Sequence, residues 1–444
     1  MRVSVIGCGH LGAPHAAAMA ELGHEVVGVE LDPAKAAQLA TGKAWFYEEG
    51  LDGLLARHVA GGRLRFTEDI REAAEFADVH FLAVGTPLAQ GGQGYDMSQL
   101  IAACQALAPH LTRPSLIIGK STVTVGTVAK ITEVFQRLAP AGTAEVSWNP
   151  EFLREGHAIE DTLTPDRIVI GLTSERAERT VREVYAPILA GGVELIVTDP
   201  QTAEMIKSAA NSFLAMKISY INAMSDVCAL TGADVNTLAY ALGVDARIGH
   251  GGMRPGIGYG GGCLPKDVRA FTHRIGELGA RNAHQLLEAV DAVNRARPVQ
   301  AADLVARACD GTLAGRRIAV LGASFKAGTD DLRDSPALNL AELLHRRGAL
   351  PVVYDPQAGE ALARSHPEFV HATSALDAIR GAQAVVIGTE WPQFTKDPEL
   401  PAAAALLAAR RVVIDVRNAV DTEVWQRAGW QVWQLGRPTR HPVE

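Results

Sequence analysis

Residues Val3–Glu30 read VSVIGCGHLGAPHAAAMAELGHEVVGVE. Val3–Ile6 is a short, apolar, β-branched run that suits a buried parallel strand. GCGHLG (Gly7–Gly12) follows, then a helix-favouring segment through Leu22, then a second strand, HEVVGVE, ending at Glu30. This is a strand–helix–strand unit with G-x-G-x-x-G at its first turn and an acid about 20 residues on, the dinucleotide-binding pattern. Gly7 permits the tight turn, Gly9 lets a pyrophosphate lie against backbone N–H groups, and Gly12 lets the helix pack on the strand. The helix N-terminus adds partial positive charge for the phosphates. Glu30 would accept hydrogen bonds from the adenosine ribose and repel a 2′-phosphate, so the pattern favours NAD over NADP.

Further strand-to-loop signals follow. ADVHFLAVGTP (Ala77–Pro87) reads as a strand ending in a turn, and SLIIGKSTVTVGT (Ser115–Thr127) as a strand, a Ser-Thr loop and a helix start. Loops at the carboxyl ends of strands line the crevice of a doubly wound sheet, which would turn Thr86, Ser121 and Thr122 toward cofactor or substrate. The alternative is ordinary turn and N-cap chemistry. GRRIAVLGASF (Gly315–Phe325) then starts the pattern again. GHEVVGVELDP (Gly23–Pro33) is echoed by GALPVVYDP (Gly348–Pro356), and ADVHFLAVGTP by AQAVVIGTEW (Ala382–Trp391). The expected fold is therefore α/β: two doubly wound Rossmann-like domains joined by a long central helix. The second copy lacks G-x-G-x-x-G and is expected to bind something other than a dinucleotide. Lys326 and Arg333 follow its first strand and Arg417 ends RVVIDVRN (Arg411–Asn418). These three cations could grip a diphosphate or form surface salt bridges.

Between the copies, Pro200–Gly232 is helix-compatible throughout, and Gly232 could end it. Such a helix serves as a shared core or an oligomer interface. Glu204, Lys207 and Asn211 fall on one face, and Lys207 and Asn211 interrupt its apolar pattern. The expected boundaries are 1–199 for the first doubly wound domain, which carries the dinucleotide turn, 200–300 for the central helical region with the glycine loop, and 301–444 for the second doubly wound domain. In GHGGMRPGIGYGGGCLPKD (Gly249–Asp267), eight of the first fourteen residues are glycine, and Cys263 follows them. So many glycines suggest a backbone that approaches something closely. A thiol there, with Lys266 and Asp267 just after it, is either an incidental loop cysteine or a nucleophile activated by nearby positive charge.

The chain's 444 residues suit two to four domains, and 48% hydrophobic residues are ample for buried cores. A net charge of −8 argues against a nucleic-acid partner while leaving room for a local basic pocket. Five scattered cysteines without a CxxC pair support neither a disulfide framework nor a metal site. The expectation is a soluble cytoplasmic protein with no signal peptide and no membrane span.

In this order the pieces resemble one family, the UDP-glucose/GDP-mannose 6-dehydrogenases that oxidise nucleotide sugars. The resemblance covers nearly the whole chain. It rests on GCGHLG with Glu30, VGTP (Val84–Pro87), STVTVGT (Ser121–Thr127), NPEFLREG (Asn149–Gly156), TPDRIVIG (Thr164–Gly171), EMIKSAAN (Glu204–Asn211), GGGCLPKD (Gly260–Asp267), FKAGTDDLRDSP (Phe325–Pro336) and DVRN (Asp415–Asn418). It implies an NAD-dependent, four-electron oxidation of a sugar C6 alcohol to a carboxylate, with UDP-glucose or a related nucleotide sugar as substrate. Cys263 would add to the aldehyde to form a thiohemiacetal, the second oxidation would leave a thioester, and water would hydrolyse it. Lys207 would stabilise the oxyanion with help from Asn211. Asp267 would hold Lys207 and a water, and Glu151 would steer or activate water with Thr122.

The same resemblance implies cofactor contacts at His10, Leu11, Lys35, Thr86, Ser121, Thr122, Glu155, Lys266 and Arg333 beside the glycine turn. It implies substrate contacts at Glu151, Phe152, Leu153, Lys207, Asn211, Arg254, Gly256, Tyr259, Gly260, Lys326 and Arg417, in the cleft between the two copies. Arg247 would reach a substrate in a neighbouring subunit, so a homodimer or higher oligomer is expected, as is a place in polysaccharide biosynthesis. Three features bear on the branch. Gly262 stands where the family usually has serine, and Thr124 where many relatives carry proline. MRPG (Met253–Gly256) is similar to the GDP-mannose branch, whereas DARIG (Asp245–Gly249) is similar to the UDP-glucose branch and carries more weight. The competing readings are a GDP-mannose 6-dehydrogenase, a non-catalytic nucleotide-sugar-binding protein and a simple two-electron dehydrogenase.

Overall fold

β1 (Arg2–Ile6) ends at Gly7, whose φ of +90° suits glycine alone and whose Cβ would lie 2.9 Å from Val84. The first helix (Gly12–Glu21) sits directly on that turn, since a Cβ on Gly12 would meet the Gly7 carbonyl oxygen at 1.8 Å. A computed structural model describes residues 1–91 and 94–442. The chain divides into two compact units, Met1–Ala210 with Arg269–Arg274, and Asn211–Val268 with Ile275–Glu444.

In the first unit β1 is followed by β2 (Glu25–Val29), β3 (Leu64–Thr67), β4 (Val79–Leu82), β5 (Ser115–Gly119), β6 (Ala144–Trp148), β7 (Arg167–Gly171) and β8 (Glu194–Thr198). They form one sheet in the order β3-β2-β1-β4-β5-β6-β7-β8. β1 to β6 pair in parallel, and β7 joins β6 antiparallel while running parallel to β8. Val3, Val5, Val26, Phe81 and Ile118 enter one core, and Ile6, Val27, Val29, Leu82 and Ile117 enter another. Alternating side chains point to opposite faces of a strand, so the sheet is buried on both. That burial is why its strands read as unbroken apolar runs. The order reverses between β1 and β4, which puts the ligand crevice at the carboxyl ends of those two strands.

The second unit repeats this plan. β9 (Arg317–Leu321), β10 (Leu350–Tyr354), β11 (Val370–His371), β12 (Ala384–Ile387), β13 (Val412–Asp415) and β14 (Gln431–Gln434) make a parallel sheet ordered β11-β10-β9-β12-β13-β14. The two sequence echoes fall on equivalent strands, β2 with β10 and β4 with β12. The correspondence extends to single residues. Gly322 has φ +97° and donates its N–H to Tyr354, as Gly7 donates to Val29, so Asp355 occupies the place of Glu30.

The central helix (Pro200–Thr231) begins in the first unit, ends in the second, and stops at Gly232 with φ +78°. Phe213, Tyr220 and Val227, spaced at seven residues along it, are exposed, as is Leu230. Tyr240 and Val244 of the next helix (Val235–Val244) are exposed too. No helix of the described residues is long and apolar enough to cross a membrane, and no described group of three His, Cys, Asp or Glu residues could hold a metal ion.

Candidate active site

In the first unit the loop after β1 offers a dinucleotide a shaped cradle. Gly7 and Gly12 leave no room for a Cβ, but nothing lies within 4 Å of where one would stand on Gly9. That open position is where a pyrophosphate could approach the backbone. Leu11 stands at the N-terminus of the first helix without a side-chain cap. The His10 ring lies 4.3 Å from that of Phe46 and 5.1 Å from that of Trp45, and Lys35 places its ammonium 4.2 Å above the Trp45 ring. Glu30 accepts the Cys8 N–H at 3.2 Å on one oxygen and the Asp32 N–H at 3.1 Å on the other. Each oxygen keeps lone pairs for a ribose hydroxyl, so the residues present fit NAD. Thr86 and Ser121 donate their hydroxyls to the carbonyls of Thr122 (2.8 Å) and Val84 (2.6 Å). They tie the β4 and β5 loops together and retain their acceptor lone pairs, and Thr122 is buried beside them.

The loop after β6 and the central helix supply the charged part of this unit. Lys207 is buried and donates to Glu151 at 3.3 Å, while the other Glu151 oxygen accepts the Leu153 N–H at 2.7 Å. Phe152 lies between two cations, with the Arg167 guanidinium 3.8 Å and the Lys207 ammonium 5.3 Å from its ring centroid. Glu155 is half-buried in the same loop. Glu204 does something different from Lys207 one turn on. Its carboxylate accepts the N–H groups of Gly126 (2.6 Å) and Val128 (2.7 Å), capping the helix Thr127–Leu138, and burial still pushes its pKa above the usual range.

The sequence reading passed over Lys120. Its buried ammonium donates to Asn149 at 2.9 Å, the Tyr185 hydroxyl donates to the same oxygen at 2.6 Å, and no described carboxylate lies within 4 Å. Desolvation first, opposed by the field of Glu151 and aided by that of Lys207, lowers its pKa to about 8. The only sequence signal was a lysine directly after an apolar strand.

In the second unit Cys263 is exposed, whereas the other four cysteines are buried. It precedes the helix Leu264–Glu277, and its carbonyl accepts the Asp267 N–H at 2.9 Å. Partial positive charge at a helix N-terminus favours an anionic sulfur. Asp267 is buried. One of its oxygens accepts from Asn211 at 2.7 Å and the other from Lys266 at 2.6 Å.

The glycine loop before Cys263 lies against the carboxyl ends of this unit's strands. A Cβ on Gly256 would stand 3.0 Å from the Val416 oxygen, one on Gly260 2.3 Å from the Asp334 oxygen, and one on Gly261 2.7 Å from the Phe325 ring. Those loops are strained: Asp334 (φ +45°) and Asn418 (φ +53°) are two of three described non-glycine residues with positive φ. At Gly262, where the sequence departs from the family pattern, a Cβ would lie 2.3 Å from the Arg333 guanidinium, so a side chain there would displace the end of Arg333.

The three cations read from the sequence have distinct settings. Arg333 is bidentate on Asp331 at 2.7–3.0 Å. Arg417 donates to the carbonyls of Gly388 (2.9 Å), Gly258 (3.3 Å) and Phe325, and pairs with Glu390 at 3.1 Å, bracing the glycine loop against β9 and β12. Lys326 is half-buried with its ammonium 5.7 Å from the Phe325 ring. Arg254 is exposed on the glycine loop, and Arg247 is exposed and paired with Asp245 at 2.6 Å. The position equivalent to Glu30 is closed. Asp355 is buried: one oxygen accepts from the N–H groups of Ala323 (2.8 Å) and Ser324 (2.9 Å), the Ser324 hydroxyl (2.8 Å) and the Trp391 indole (3.3 Å), and the other from the N–H groups of Gln357 (3.0 Å) and Ala358 (2.9 Å). A ribose would find those lone pairs taken, which gives a physical reason why the second copy is not a second dinucleotide site.

The helix Arg281–Ala308 and the central helix hold the glycine loop through residues the sequence reading missed. Asn294 bonds both backbone groups of Tyr259, at 2.9 and 3.0 Å. Asn222 accepts the Gly256 N–H at 2.8 Å, and Arg297 donates to the Gly256 carbonyl at 2.9 Å. Their signal was polar residues at core-facing helix positions, legible only once the facing element is known.

Models of the UDP-glucose/GDP-mannose dehydrogenase family match the chain throughout. The NAD binding domain matches residues 1–189, the central domain 201–296 and the UDP binding domain 319–422. A UDP-glucose 6-dehydrogenase of Rhizobium meliloti is 38% identical over 440 residues, covering 99% of this chain and 100% of that protein. One of Pseudomonas aeruginosa is 37% identical over 448 residues, covering 99% and 98%. The structure of a UDP-glucose dehydrogenase from Pyrobaculum islandicum superposes with a TM-score of 0.90 at 35% identity, covering 98% of each chain. With a glycine turn and acid that fit NAD, three matched domains in order and end-to-end similarity to such enzymes, the chain belongs to the UDP-glucose/GDP-mannose dehydrogenase family and is an NAD-dependent nucleotide-sugar dehydrogenase.

Proposed function

We propose that the protein oxidises UDP-glucose to UDP-glucuronate, removing four electrons through a covalent intermediate on Cys263. The observation that carries this reading is the setting of that cysteine. It is the exposed thiol of five, and it ends a glycine loop that lies on the crevice of the unit matched by the UDP binding domain. NAD supplies the hydride acceptor for each oxidation. Glu151 and Thr122 hold the water that takes the alcohol proton, and Lys207 Nζ neutralises charge developing on the sugar oxygen. The Cys263 thiolate then adds to the aldehyde carbon. The thiohemiacetal carbon still bears a hydrogen to give up, which a bare aldehyde cannot donate as readily. Oxidation leaves a thioester, and water held by Glu151 cleaves it and regenerates the thiol. Asn211 and Asp267, joined at 2.7 Å, steady the end of the loop that carries the sulfur. Lys326, Arg254 and Arg417 are assigned to the nucleotide, and Lys35, Lys266 and Arg333 to the cofactor.

UDP-glucose is preferred over GDP-mannose because DARIG is similar to the UDP-glucose branch and the relatives above bear that enzyme's name. Incubation with NAD and each sugar nucleotide tests it. The expected result is two NADH per UDP-glucose and no turnover of GDP-mannose, and activity with GDP-mannose alone would overturn the assignment.

The exposed apolar row of the central helix supports a homodimer built on that helix, which would bring Arg247 to a neighbour's substrate. Light scattering is expected to give at least twice the 47.1 kDa of one chain, and a monomer mass at working concentration would remove both the dimer and the Arg247 role. Five cysteines without a disulfide suit a reducing compartment such as the cytoplasm.

A further inference from the structure

We propose that Asn294, Arg297 and Asn222 are positioning residues that hold the loop Arg254–Tyr259 in its substrate-binding shape before substrate arrives. The proposal rests on the reading of that loop as the sugar-nucleotide loop. Left to itself, a segment with this glycine content samples many backbone states, and a ligand would have to order it at the expense of affinity.

The structure has removed that freedom from two sides. At residue 259 the Asn294 side-chain amide acts as a strand partner would, its oxygen accepting the Tyr259 N–H at 2.9 Å and its nitrogen donating to the Tyr259 carbonyl at 3.0 Å. At residue 256 the N–H donates to Asn222 at 2.8 Å and the carbonyl accepts from Arg297 Nε at 2.9 Å. Both backbone groups of both residues are thus bound by side chains. Gly258, between them, is drawn so close that a Cβ would stand 2.5 Å from Asn294 Oδ1, and its φ is +103°.

The holders are themselves fixed. Arg297 is fully buried and spreads its guanidinium over the Asn222 carbonyl (3.2 Å), Asp226 (2.7 Å) and Gln300 (2.7 Å), and Asp226 also accepts from Gln300 at 2.9 Å. Pro298 lies inside the same helix and lacks the N–H that would bond the Asn294 carbonyl. A buried guanidinium and two buried amides are a costly way to fill space, since apolar side chains of like volume pack there at least as well. What they supply instead is direction: four hydrogen bonds that specify one loop conformation.

Calorimetry with UDP as the probe, paired with steady-state kinetics, tests the assignment on the full-length protein. Asn294→Ala is expected to weaken UDP binding and raise the KM for the sugar nucleotide by about tenfold or more, while NAD affinity stays within about twofold. Its kcat should fall by a much smaller factor than its KM rises. Asn294→Asp, which keeps the acceptor and loses the donor, should lie between. If Asn294→Ala does not fold, Gly258→Ala loosens the same contact from the loop side and is read by the same ratio. A folded Asn294→Ala or Gly258→Ala protein that binds UDP like the parent overturns the proposal. So does an equal loss of UDP and NAD affinity with a lowered Tm, which marks a general structural role. Failure of the underlying reading looks different. If the parent binds GDP rather than UDP, the substrate assignment falls, and the clamp stands or falls on whether the same loss appears with GDP.

Discussion

Cys263→Ser is expected to lower the rate of complete four-electron oxidation by on the order of 10³-fold or more, because the hydroxyl is a far weaker nucleophile than a thiolate and makes a less labile ester. The effect should be selective. The glycine loop does not depend on the sulfur for its shape, since its backbone is held by Asn222, Asn294 and Arg297, so NAD and UDP affinities and Tm should hardly move. Rapid-quench analysis with mass spectrometry is expected to show a sulfur-linked sugar on the parent protein and none on the variant. Full turnover by the variant, or an adduct on another side chain, would refute the covalent route.

Lys207→Met carries the second large effect, a fall in kcat of about 10²–10³, the usual cost of removing one oxyanion-stabilising group. A stability loss should accompany it. Lys207 and Glu151 are both largely shielded from water, and breaking such a pair leaves a carboxylate without its ammonium, at about 3–5 kcal/mol in comparable cases. Here the loss should fall at or below the low end of that range, because Glu151 retains the Leu153 N–H at 2.7 Å and the positive field of Lys120. The double variant Lys207→Met/Glu151→Gln separates the two effects. Removing the stranded charge should restore Tm without restoring the rate. Recovery of kcat with Tm in a protein lacking both groups would overturn the oxyanion role of Lys207 and the water-holding role of Glu151 together.

The first βαβ unit was legible because its requirements are local. A positive φ at Gly7, a helix seated on its carbonyl and an acid at the end of β2 are met by residues within one short stretch. The second copy was legible through its echoes, which fall on β2/β10 and β4/β12. The central helix announced its end at Gly232, where φ is +78°. The loop's supports were another matter. Asn294 lies 35 residues from Tyr259 and Arg297 lies 41 from Gly256. On their own helix they look like ordinary polar positions. Arg417 was readable as a phosphate-seeking cation, and only its distances to Gly258 and Gly388 show that it also braces the glycine loop.

By itself the sequence determined the architecture and the chemical inventory: two doubly wound copies, a dinucleotide turn in the first, and a thiol at the end of a glycine loop. These follow from backbone conformation, strand periodicity and side-chain reactivity, which act over a few residues. Only the tertiary structure decided which polar groups are spent on the fold and which remain for a ligand. Glu30 and Asp355 occupy equivalent places, yet Glu30 accepts one N–H on each oxygen while Asp355 accepts from Ala323, Ser324 and Trp391 on one oxygen and from Gln357 and Ala358 on the other. A carboxylate has a limited number of lone pairs, and whether neighbours distant in the chain have already taken them is a property of packing alone.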